Sequence, residues 1–271
     1  MKIAAPVALV LLLVATPLSW SQTEPRIETG FLDRTIQIGG QAIRYQVYVP
    51  AEYTPARTWP VLVHLHGSGP QGTDGLSHTL RISEQILIDR SRFPFIVINP
   101  QAQPRRRWLD PDMQEMVIAQ IDRTMGEFAI DPDRMYLTGF SMGAAGVYGM
   151  TYRWPERFAA VAAIAGRVEA GSGTDQAARR ANAFLAAPDA FAALAERIKN
   201  VPIWIIHGSA DEGMSVGQSR RLVPALKAAG ATVRYTEYRG TNHDDTGYRA
   251  FAEPDLIRWL LEQRRRPRAP E

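Results

Sequence analysis

The chain has 271 residues, 45% of them apolar, and it contains no cysteine. This length suits one large domain with a continuous core, and the lack of cysteine excludes disulfides, thiol nucleophiles and lipid attachment at an N-terminal cysteine. The net charge is +3, and the basic excess lies in two runs without interleaved aromatic residues, Arg105–Arg107 and Arg264–Arg268. Such runs are typical of a solvated loop and a frayed terminus, so we predict no nucleic-acid partner.

The segment Met1–Ser21 has the features of a secretory signal peptide. It carries Lys2, then the apolar stretch Ala4–Leu18, and then small residues at Ser19 and Ser21, where a signal peptidase reads the chain. The alternative is a membrane anchor, but two prolines interrupt the apolar stretch, which is shorter than the roughly 20 residues needed to span a bilayer. We therefore predict a cleaved signal, a secreted or periplasmic protein, and no stable membrane insertion after cleavage.

The apolar pattern changes along the chain. Arg34–Ile38 and Ile43–Val49 alternate apolar with polar residues around Gly39-Gly40, which predicts an antiparallel hairpin of two edge strands. Later runs are continuously apolar, as expected for parallel strands covered on both faces. These predicted strands are Val61–Leu65, Phe95–Ile98, Met135–Thr138, Phe158–Ile164, Ile203–Ile206 and Thr232–Tyr238.

Helical spacing of apolar residues separates the later strands. The predicted helices are Met113–Phe128, Met142–Tyr152, Ser215–Ala229 and Tyr248–Gln263. Alternation of strand and helix predicts an α/β fold with a doubly wound, mostly parallel sheet. In such a fold functional residues lie at the carboxyl ends of the strands.

The stretch Arg167–Asn200 is longer than a simple crossover helix requires. It begins with a glycine-rich segment and becomes rich in alanine and arginine. Two interpretations remain open: a small lid over the site, or an ordinary crossover helix, Asp189–Lys199, with a mobile leader.

A candidate nucleophile lies in the pattern Gly139-x-Ser141-x-Gly143, after a predicted strand and before a predicted helix. This context is typical of a nucleophile elbow, in which a sharp turn holds the serine hydroxyl at the end of the strand. The two glycines suit a turn with no room for a side chain.

A serine hydroxyl needs a base, and an imidazole oriented by a carboxylate suits that role. Of five histidines, His243 is favoured because it lies in a loop between the last predicted strand and the final helix. Asp211, just past the penultimate strand, is the favoured acid, with its neighbour Glu212 as the alternative. The order Ser141, Asp211, His243 is the order that nucleophile-elbow folds use.

Two backbone donors are expected to stabilise negative charge on the substrate oxygen. One is the N–H of Met142, and the other comes from the loop that follows the first central strand, with Ser68 as first choice and Gly69 as second. His64 and His66 could instead be two metal ligands on one strand, but no third ligand of clear spacing accompanies them. We predict neither a metal nor a cofactor.

With these residues assembled, the chain resembles the α/β-hydrolase superfamily, and within it secreted esterases and predicted peptidases near polyhydroxybutyrate depolymerase-like and feruloyl-type esterases. The stretches that carry the resemblance are Trp59–Gly69, Gly72–Asp74, Tyr136–Gly143, Tyr152–Ala160, Pro202–Gly208 and Tyr235–His243. The resemblance implies an α/β-hydrolase domain over residues 22–263, with a possible small lid over 167–200. Together with the composition, this predicts a signal peptide over 1–21 and a basic flexible tail over 264–271.

The resemblance also implies roles and a reaction. Ser141, His243 and Asp211 would be nucleophile, base and acid of a serine hydrolase that acts on a small-molecule or polymer-linked ester. A serine peptidase, an acyltransferase on the same triad, and a non-catalytic binding protein are the alternatives. Trp108 and Tyr148 are either substrate contacts or packing residues. The oligomeric state stays open.

Overall fold

A computed structural model of the chain describes residues 27–79, 81–171 and 174–265. The predicted signal segment lies outside these residues, as does the end of the basic tail. Within the described ranges, no helix has the length and apolar character required to cross a membrane.

Eight strands form one mixed sheet in the described part of the chain. They are β1 (Gly30–Ile38), β2 (Gln41–Val49), β3 (Trp59–Leu65), β4 (Ile96–Asn99), β5 (Ile130–Phe140), β6 (Ala160–Ile164), β7 (Ile203–Gly208) and β8 (Val233–Tyr238). Their order across the sheet is β1-β2-β4-β3-β5-β6-β7-β8. Strands β3 to β8 run parallel, and the β1–β2 hairpin joins antiparallel through β2 and β4.

The helices connect the strands on both faces of the sheet. They are α1 (Ile82–Ile88), α2 (Pro111–Glu127), α3 (Met142–Arg153), α4 (Gln176–Ala181), α5 (Ala190–Ile198), α6 (Gly217–Ala228), α7 (His243–Ala252) and α8 (Pro254–Leu261). Apolar residues of α2, α3, α5 and α6 fill one face, and those of α1, α7 and α8 fill the other. This is the predicted doubly wound α/β architecture.

Strand β3 explains why the sheet can be covered on both sides. Successive side chains of a strand point to opposite faces, so Val61, Val63 and Leu65 enter the first core while Leu62 enters the second. Each of these four residues is fully buried. A continuously apolar sequence is therefore required here, whereas the alternating pattern of β1 suits its outer position.

Two expectations about the elements were wrong. Of the two hairpin strands, only β1 lies at an edge of the sheet, because β2 pairs with β4 through Gln46–Tyr48. The predicted helix Tyr248–Gln263 is two helices, α7 and α8, separated at Glu253. Pro254 starts α8 at the position where proline is tolerated, since its missing N–H needs no intrahelical acceptor there.

The stretch after β6 divides into two parts. Residues 165–171 and 174–175 contain no helix, whereas beyond them α4 packs beside α2, and α5 packs against α3 and α6. Asn182 is fully buried between these parts of the core, where its Nδ2 donates to the carbonyl of Leu109 at 2.9 Å and its Oδ1 accepts from Gln114 at 3.1 Å. The second half of the stretch is therefore a packed crossover fixed by polar contacts.

The basic tail begins with two paired arginines. Arg264 lies 3.2 Å from a carboxylate oxygen of Asp131, and Arg265 lies 2.8 Å from one of Asp133. Both acids belong to β5. The first residues of the predicted flexible tail thus contact the amino end of the central strand β5 through ion pairs.

Candidate active site

Ser141 occupies a sharp turn between β5 and α3. Its backbone has φ 58° and ψ −115°, a strained conformation for a residue with a side chain. Its N–H donates to the carbonyl of Ile164 at 2.9 Å, which ties the turn to β6. The turn holds the hydroxyl at the carboxyl edge of the sheet, as the sequence predicts.

The flanking glycines are required by close backbone approach. A Cβ on Gly139 would lie 2.4 Å from the carbonyl oxygen of Gly143. A Cβ on Gly143 would lie 1.9 Å from the carbonyl oxygen of Leu65 in β3. Both distances are far inside van der Waals contact, so neither position accepts a larger residue while the turn keeps its place.

We expect Gly143→Ala to lower the free energy of unfolding by about 3 kcal/mol or more, because the added methyl group forces two backbone segments apart. Gly126→Ala is the matched control, since a Cβ at Gly126 in α2 meets nothing within 4 Å. The control should raise stability by up to about 1 kcal/mol, the helix-propensity difference between the two residues. Urea unfolding of the two variants measures both changes, and equal stabilities would contradict the steric argument.

Three predicted side chains form one hydrogen-bonded chain. Nε2 of His243 lies 2.8 Å from Oγ of Ser141, and Nδ1 of His243 lies 2.6 Å from Oδ2 of Asp211. The carboxylate of Asp211 is fully buried, and Ser141 is 9% exposed. In this order the serine proton can pass to an imidazole whose second nitrogen is held by a carboxylate.

The sequence predicts a flexible loop at His243, but the structure places this residue at the start of a helix. It is the first residue of α7, and Asn242 caps that helix by accepting from the N–H of Asp245 at 2.9 Å. The ring also packs on Phe140, with ring centroids 4.7 Å apart. The imidazole is therefore held by the cap, by the aromatic ring and by Asp211.

The loop after β7 holds Asp211 through contacts that the sequence did not reveal. Oδ1 of Asp211 accepts from the N–H of Met214 at 2.6 Å. Nε2 of buried His207 donates to the carbonyl of Met214 at 2.8 Å, and its Nδ1 accepts from Ser219 at 2.7 Å. Burial lowers the pKa of His207, so the ring stays neutral and fixes the loop as a donor and an acceptor.

The loop that follows β3 is fixed by His66 and Trp108. The N–H of Ala102 donates to Nε2 of His66 at 3.0 Å, so Nδ1 carries the proton and donates to the carbonyl of Gly67 at 2.5 Å. Trp108 donates from its indole to the carbonyl of His66 at 2.9 Å. These bonds hold the segment before Ser68 beside the elbow.

Gln101 anchors the outer half of the same loop. Its buried amide accepts from the N–H of Gly75 at 2.8 Å and donates to Asp74 at 2.9 Å. Asp74 in turn accepts from the N–H groups of Leu76 and Ser77 at 2.8 and 3.1 Å. The glycine-rich loop therefore has a defined path over the strand ends.

A cavity of about 270 Å³ opens at Ser141. Both predicted oxyanion residues, Met142 and Ser68, line it, and so does Trp108. As the first residue of α3, Met142 has an N–H with no intrahelical acceptor. The remaining lining residues are Arg107, Leu109, Ala145, Arg167, Glu169, Gly171, Thr174 and Met214.

The two predicted substrate contacts have different surroundings. Trp108 borders the cavity although only 1% of it is exposed. Tyr148 is equally buried but does not line the cavity, and its hydroxyl has no hydrogen-bond partner among the described residues. Burial raises the pKa of Tyr148, so the phenol is neutral, and its place in the structure is that of a packing residue.

Sequence reasoning missed Arg107 and Arg167, which line the cavity. Arg107 had been assigned to a solvated basic run, and Arg167 to the start of the stretch after β6. Their positions in the loops that follow β4 and β6 were a usable signal, because loops at the carboxyl edge of a parallel sheet surround the site. That signal places each arginine near the site, but nothing in the local sequence predicts that the two arginines approach each other.

The two histidines considered as metal ligands are buried near a third. Burial lowers the pKa to about 3 for His64 and to about 4 for His66 and His78. Nε2 of His78 bonds the carbonyl of Asn99 at 2.7 Å, and the ring of His64 packs edge-on against Phe251. Among the described residues, no group of three or more side chains is arranged to hold a metal ion.

These three histidines predict a loss of stability in mild acid. In the unfolded chain each takes up a proton near pH 6.5, whereas in the folded protein His64 stays neutral down to about pH 3 and the other two down to about pH 4. The contribution of these histidines to the free energy of unfolding is thus fully present above pH 6.5. Below that pH the free energy of unfolding falls by up to about 1.4 kcal/mol per pH unit for each histidine. Urea unfolding between pH 7.5 and 4.5 measures the slope. His64→Leu should make it shallower by about 1 kcal/mol per pH unit, and an unchanged slope would contradict this.

The sequence matches the family described as Putative esterase over residues 36–258. The chain belongs to this esterase family. Membership confirms the predicted resemblance to an esterase group, and the sheet confirms the predicted α/β-hydrolase fold. The roles of individual residues stay predictions.

Two relatives share part of their length with this esterase-family chain. A thermostable esterase of known crystal structure is 30% identical, with a TM-score of 0.71, and the match covers 87% of this chain and 63% of that one. A protein of Arthroderma benhamiae described as an uncharacterized secreted protein is 26% identical over 230 residues, which are 76% of this chain and 24% of that protein. The chain therefore spans less than two-thirds of the length of either relative.

More distant structures share the fold alone. An S-formylglutathione hydrolase from Agrobacterium tumefaciens is 20% identical with a TM-score of 0.65, and the match covers 86% of this chain and 94% of that one. A ferulic acid esterase is 14% identical with a TM-score of 0.65, over 86% of this chain and 100% of that one. At these identities the likeness does not extend to substrate.

Proposed function

We propose that the protein is a secreted serine hydrolase that cleaves carboxylic esters through an acyl-enzyme on Ser141. The observation that carries the proposal is the hydrogen-bonded chain Ser141–His243–Asp211 at a cavity, with the serine on a strained elbow. Membership of the esterase family supports the same chemistry.

In the first half of the reaction, Oγ of Ser141 attacks the ester carbonyl while Nε2 of His243 takes the serine proton. The 2.8 Å separation of these atoms suits that transfer. The imidazolium that forms is stabilised by the buried carboxylate of Asp211. His243 then gives the proton to the leaving alcohol, and the acyl group stays on Ser141.

The negative charge on the substrate oxygen is stabilised by two backbone donors. Met142 supplies the unpaired N–H at the start of α3, where the helix dipole also favours negative charge. Ser68 supplies the second N–H from the loop held by His66 and Trp108. A preorganised donor of this kind contributes about 10²-fold or more to kcat.

In the second half, water replaces the alcohol. His243 takes a proton from that water as it attacks the acyl carbonyl, and the acid is released when Oγ of Ser141 regains the proton. The cavity opens directly at the serine, so the acyl-enzyme is within reach of water. None of these steps requires a metal or an organic cofactor.

Hydrolysis of p-nitrophenyl acetate, butyrate and octanoate by the mature protein tests the activity. We expect turnover of at least one of these esters, with the chain-length profile reporting the size of the acyl pocket. A fluorophosphonate probe should label the protein once, and peptide mass spectrometry should find the adduct on Ser141. Failure to cleave any ester, together with no labelling of the folded protein, would overturn the proposal.

Export is part of the same proposal and rests on the features of residues 1–21 and on the description of the Arthroderma benhamiae relative as secreted. Expression of the full chain in a bacterium, followed by N-terminal sequencing of the protein from periplasm and medium, tests it. A mature chain that begins just after Ser21 is the expected result. Recovery of an unprocessed chain from the cytoplasm alone would contradict export.

A further inference from the structure

Two arginines face the cavity from different loops. Arg107 lies before α2 and Arg167 follows β6, and both line the same cavity as Ser141. A Cβ on Gly171 would lie 2.7 Å from Nη1 of Arg167 and 3.9 Å from Nη1 of Arg107, so the two guanidinium groups approach one point. Two like charges this close repel unless an anion lies between them.

Neither guanidinium has a carboxylate partner within residues 27–79, 81–171 and 174–265. Nε of Arg167 contacts the sulfur of Met214 at 3.3 Å, and its Nη1 lies beside Gly171, which also lines the cavity. The neighbouring Arg106 shows the contrast, because it pairs with both Asp110 and Asp112. The charge of Arg106 is neutralised within its own loop, whereas that of Arg107 is not.

The one carboxylate that lines this cavity is already occupied. Oε1 of Glu169 accepts from Arg221 at 2.6 Å, and its Oε2 accepts from Gln218 at 2.7 Å. These bonds lower the pKa of Glu169, and the charges of Arg221 and Arg167 lower it further. Arg221 does not line the cavity and offsets the charge of Glu169. The wall beside Ser141 therefore keeps a net positive charge from Arg107 and Arg167.

Arg107 is also held in place by its backbone. Its N–H donates to Oδ2 of Asp110 at 2.9 Å, and its carbonyl accepts from the N–H of Asp110 at 3.0 Å. Trp108, the next residue, is fixed by its bond to His66. The guanidinium is thus carried by a rigid segment rather than by a free loop.

We propose that Arg107 and Arg167 bind a carboxylate on the substrate, so that the enzyme prefers esters carrying a free carboxylate near the scissile bond. The inference rests on the proposed ester hydrolysis and names its substrate class. Planar guanidinium groups match carboxylate oxygens with paired hydrogen bonds, and such charge-assisted bonds are stronger than neutral ones. The carboxylate belongs either to the acyl half or to the alcohol half of the ester.

Two matched substrate pairs test the preference and separate these halves. Mono-4-nitrophenyl adipate against 4-nitrophenyl methyl adipate places the charge in the acyl half, and 4-acetoxybenzoate against its methyl ester places it in the alcohol half. The quantity measured is the ratio of kcat/KM for the charged ester to that for the neutral ester, corrected with Ser141→Ala as blank. We expect a ratio of about 10 or more for one of the two pairs, because the free energy of one charge-assisted hydrogen bond corresponds to about that factor in kcat/KM.

Arg107→Gln and Arg167→Gln should each lower that ratio by about 3- to 10-fold, and the double variant should bring it close to one. Arg105→Gln removes the same charge from the same loop at a residue that does not line the cavity, so its ratio should equal that of the wild type. Raising the salt concentration should also lower the wild-type ratio, because these charges are partly exposed.

The outcomes separate this inference from the proposed function. Turnover of the neutral esters with ratios near one, or with ratios that Arg107→Gln and Arg167→Gln do not change, overturns the carboxylate site and leaves the esterase intact. If no ester is cleaved, calorimetry of the adipate monoester with folded Ser141→Ala decides. Binding that Arg107→Gln or Arg167→Gln abolishes supports the site, and absence of binding overturns it.

Discussion

Ser141→Ala and His243→Ala are each expected to lower kcat for ester hydrolysis on the order of 10⁶-fold, or to the limit of the assay, and the double variant should be no worse. The two residues act as a unit through their 2.8 Å contact, so that the loss of either partner abolishes the activated hydroxyl. Measured effects of such pairs are far from additive for this reason.

Initial rates with p-nitrophenyl butyrate measure the effect, and circular dichroism establishes that the variants fold. Fluorophosphonate labelling separates the two roles. Ser141→Ala should take up no probe, whereas His243→Ala should label slowly at Ser141. An active, folded Ser141→Ala enzyme would mean that another residue is the nucleophile.

Asp211→Asn is expected to lower kcat on the order of 10⁴-fold while the fold is kept. The reason is the direction of one amide. The N–H of Met214 donates to Oδ1 of Asp211 at 2.6 Å, so an asparagine must keep its oxygen there and turn its NH₂ toward Nδ1 of His243. Nδ1 then has to accept, the proton moves to Nε2, and the ring can no longer take the proton of Ser141.

Glu212→Gln is the matched control for this substitution. Glu212 is the alternative acid from the sequence, but its side chain is exposed and the triad contact belongs to Asp211. We expect its kcat/KM to stay within about twofold of the wild type, as for a surface change away from such contacts. The reverse result, an inactive Glu212→Gln beside an active Asp211→Asn, would reassign the acid.

Local patterns predicted the parts of the site that lie on one segment. The elbow follows from Gly139-x-Ser141-x-Gly143, because a strand that reverses into a helix at a serine leaves room only for glycine. Their places after strand ends and their order in the chain then predicted Asp211 and His243. In the structure His243 contacts Ser141, and Asp211 contacts His243. The start of α7 at His243 also has a local signal, because Asn242 is a favoured N-cap residue and Asp244 and Asp245 place acidic side chains in the first turn.

Other features have no local cause. The neutral bridge of His207 between Ser219 and Met214 joins a strand end to a helix and a loop. The approach of Arg107 and Arg167 joins segments 60 positions apart in the numbering. Contacts of this kind depend on how helices and loops pack around the sheet. The sequence around each residue does not predict which distant residue it will contact. The short helix α1 was missed because seven residues carry too little periodicity.

The polar anchor at Asn182 separates the cavity-lining segment after β6 from the packed crossover that follows. Before it, four residues line the cavity without being part of a helix: Arg167, Glu169, Gly171 and Thr174. From Asn182 onward the chain is tied to Leu109 and Gln114, and α5 packs into the core. Loop exchange or laboratory evolution confined to the segment between β6 and α4 would thus reshape the substrate pocket while the strand order and the triad stay in place.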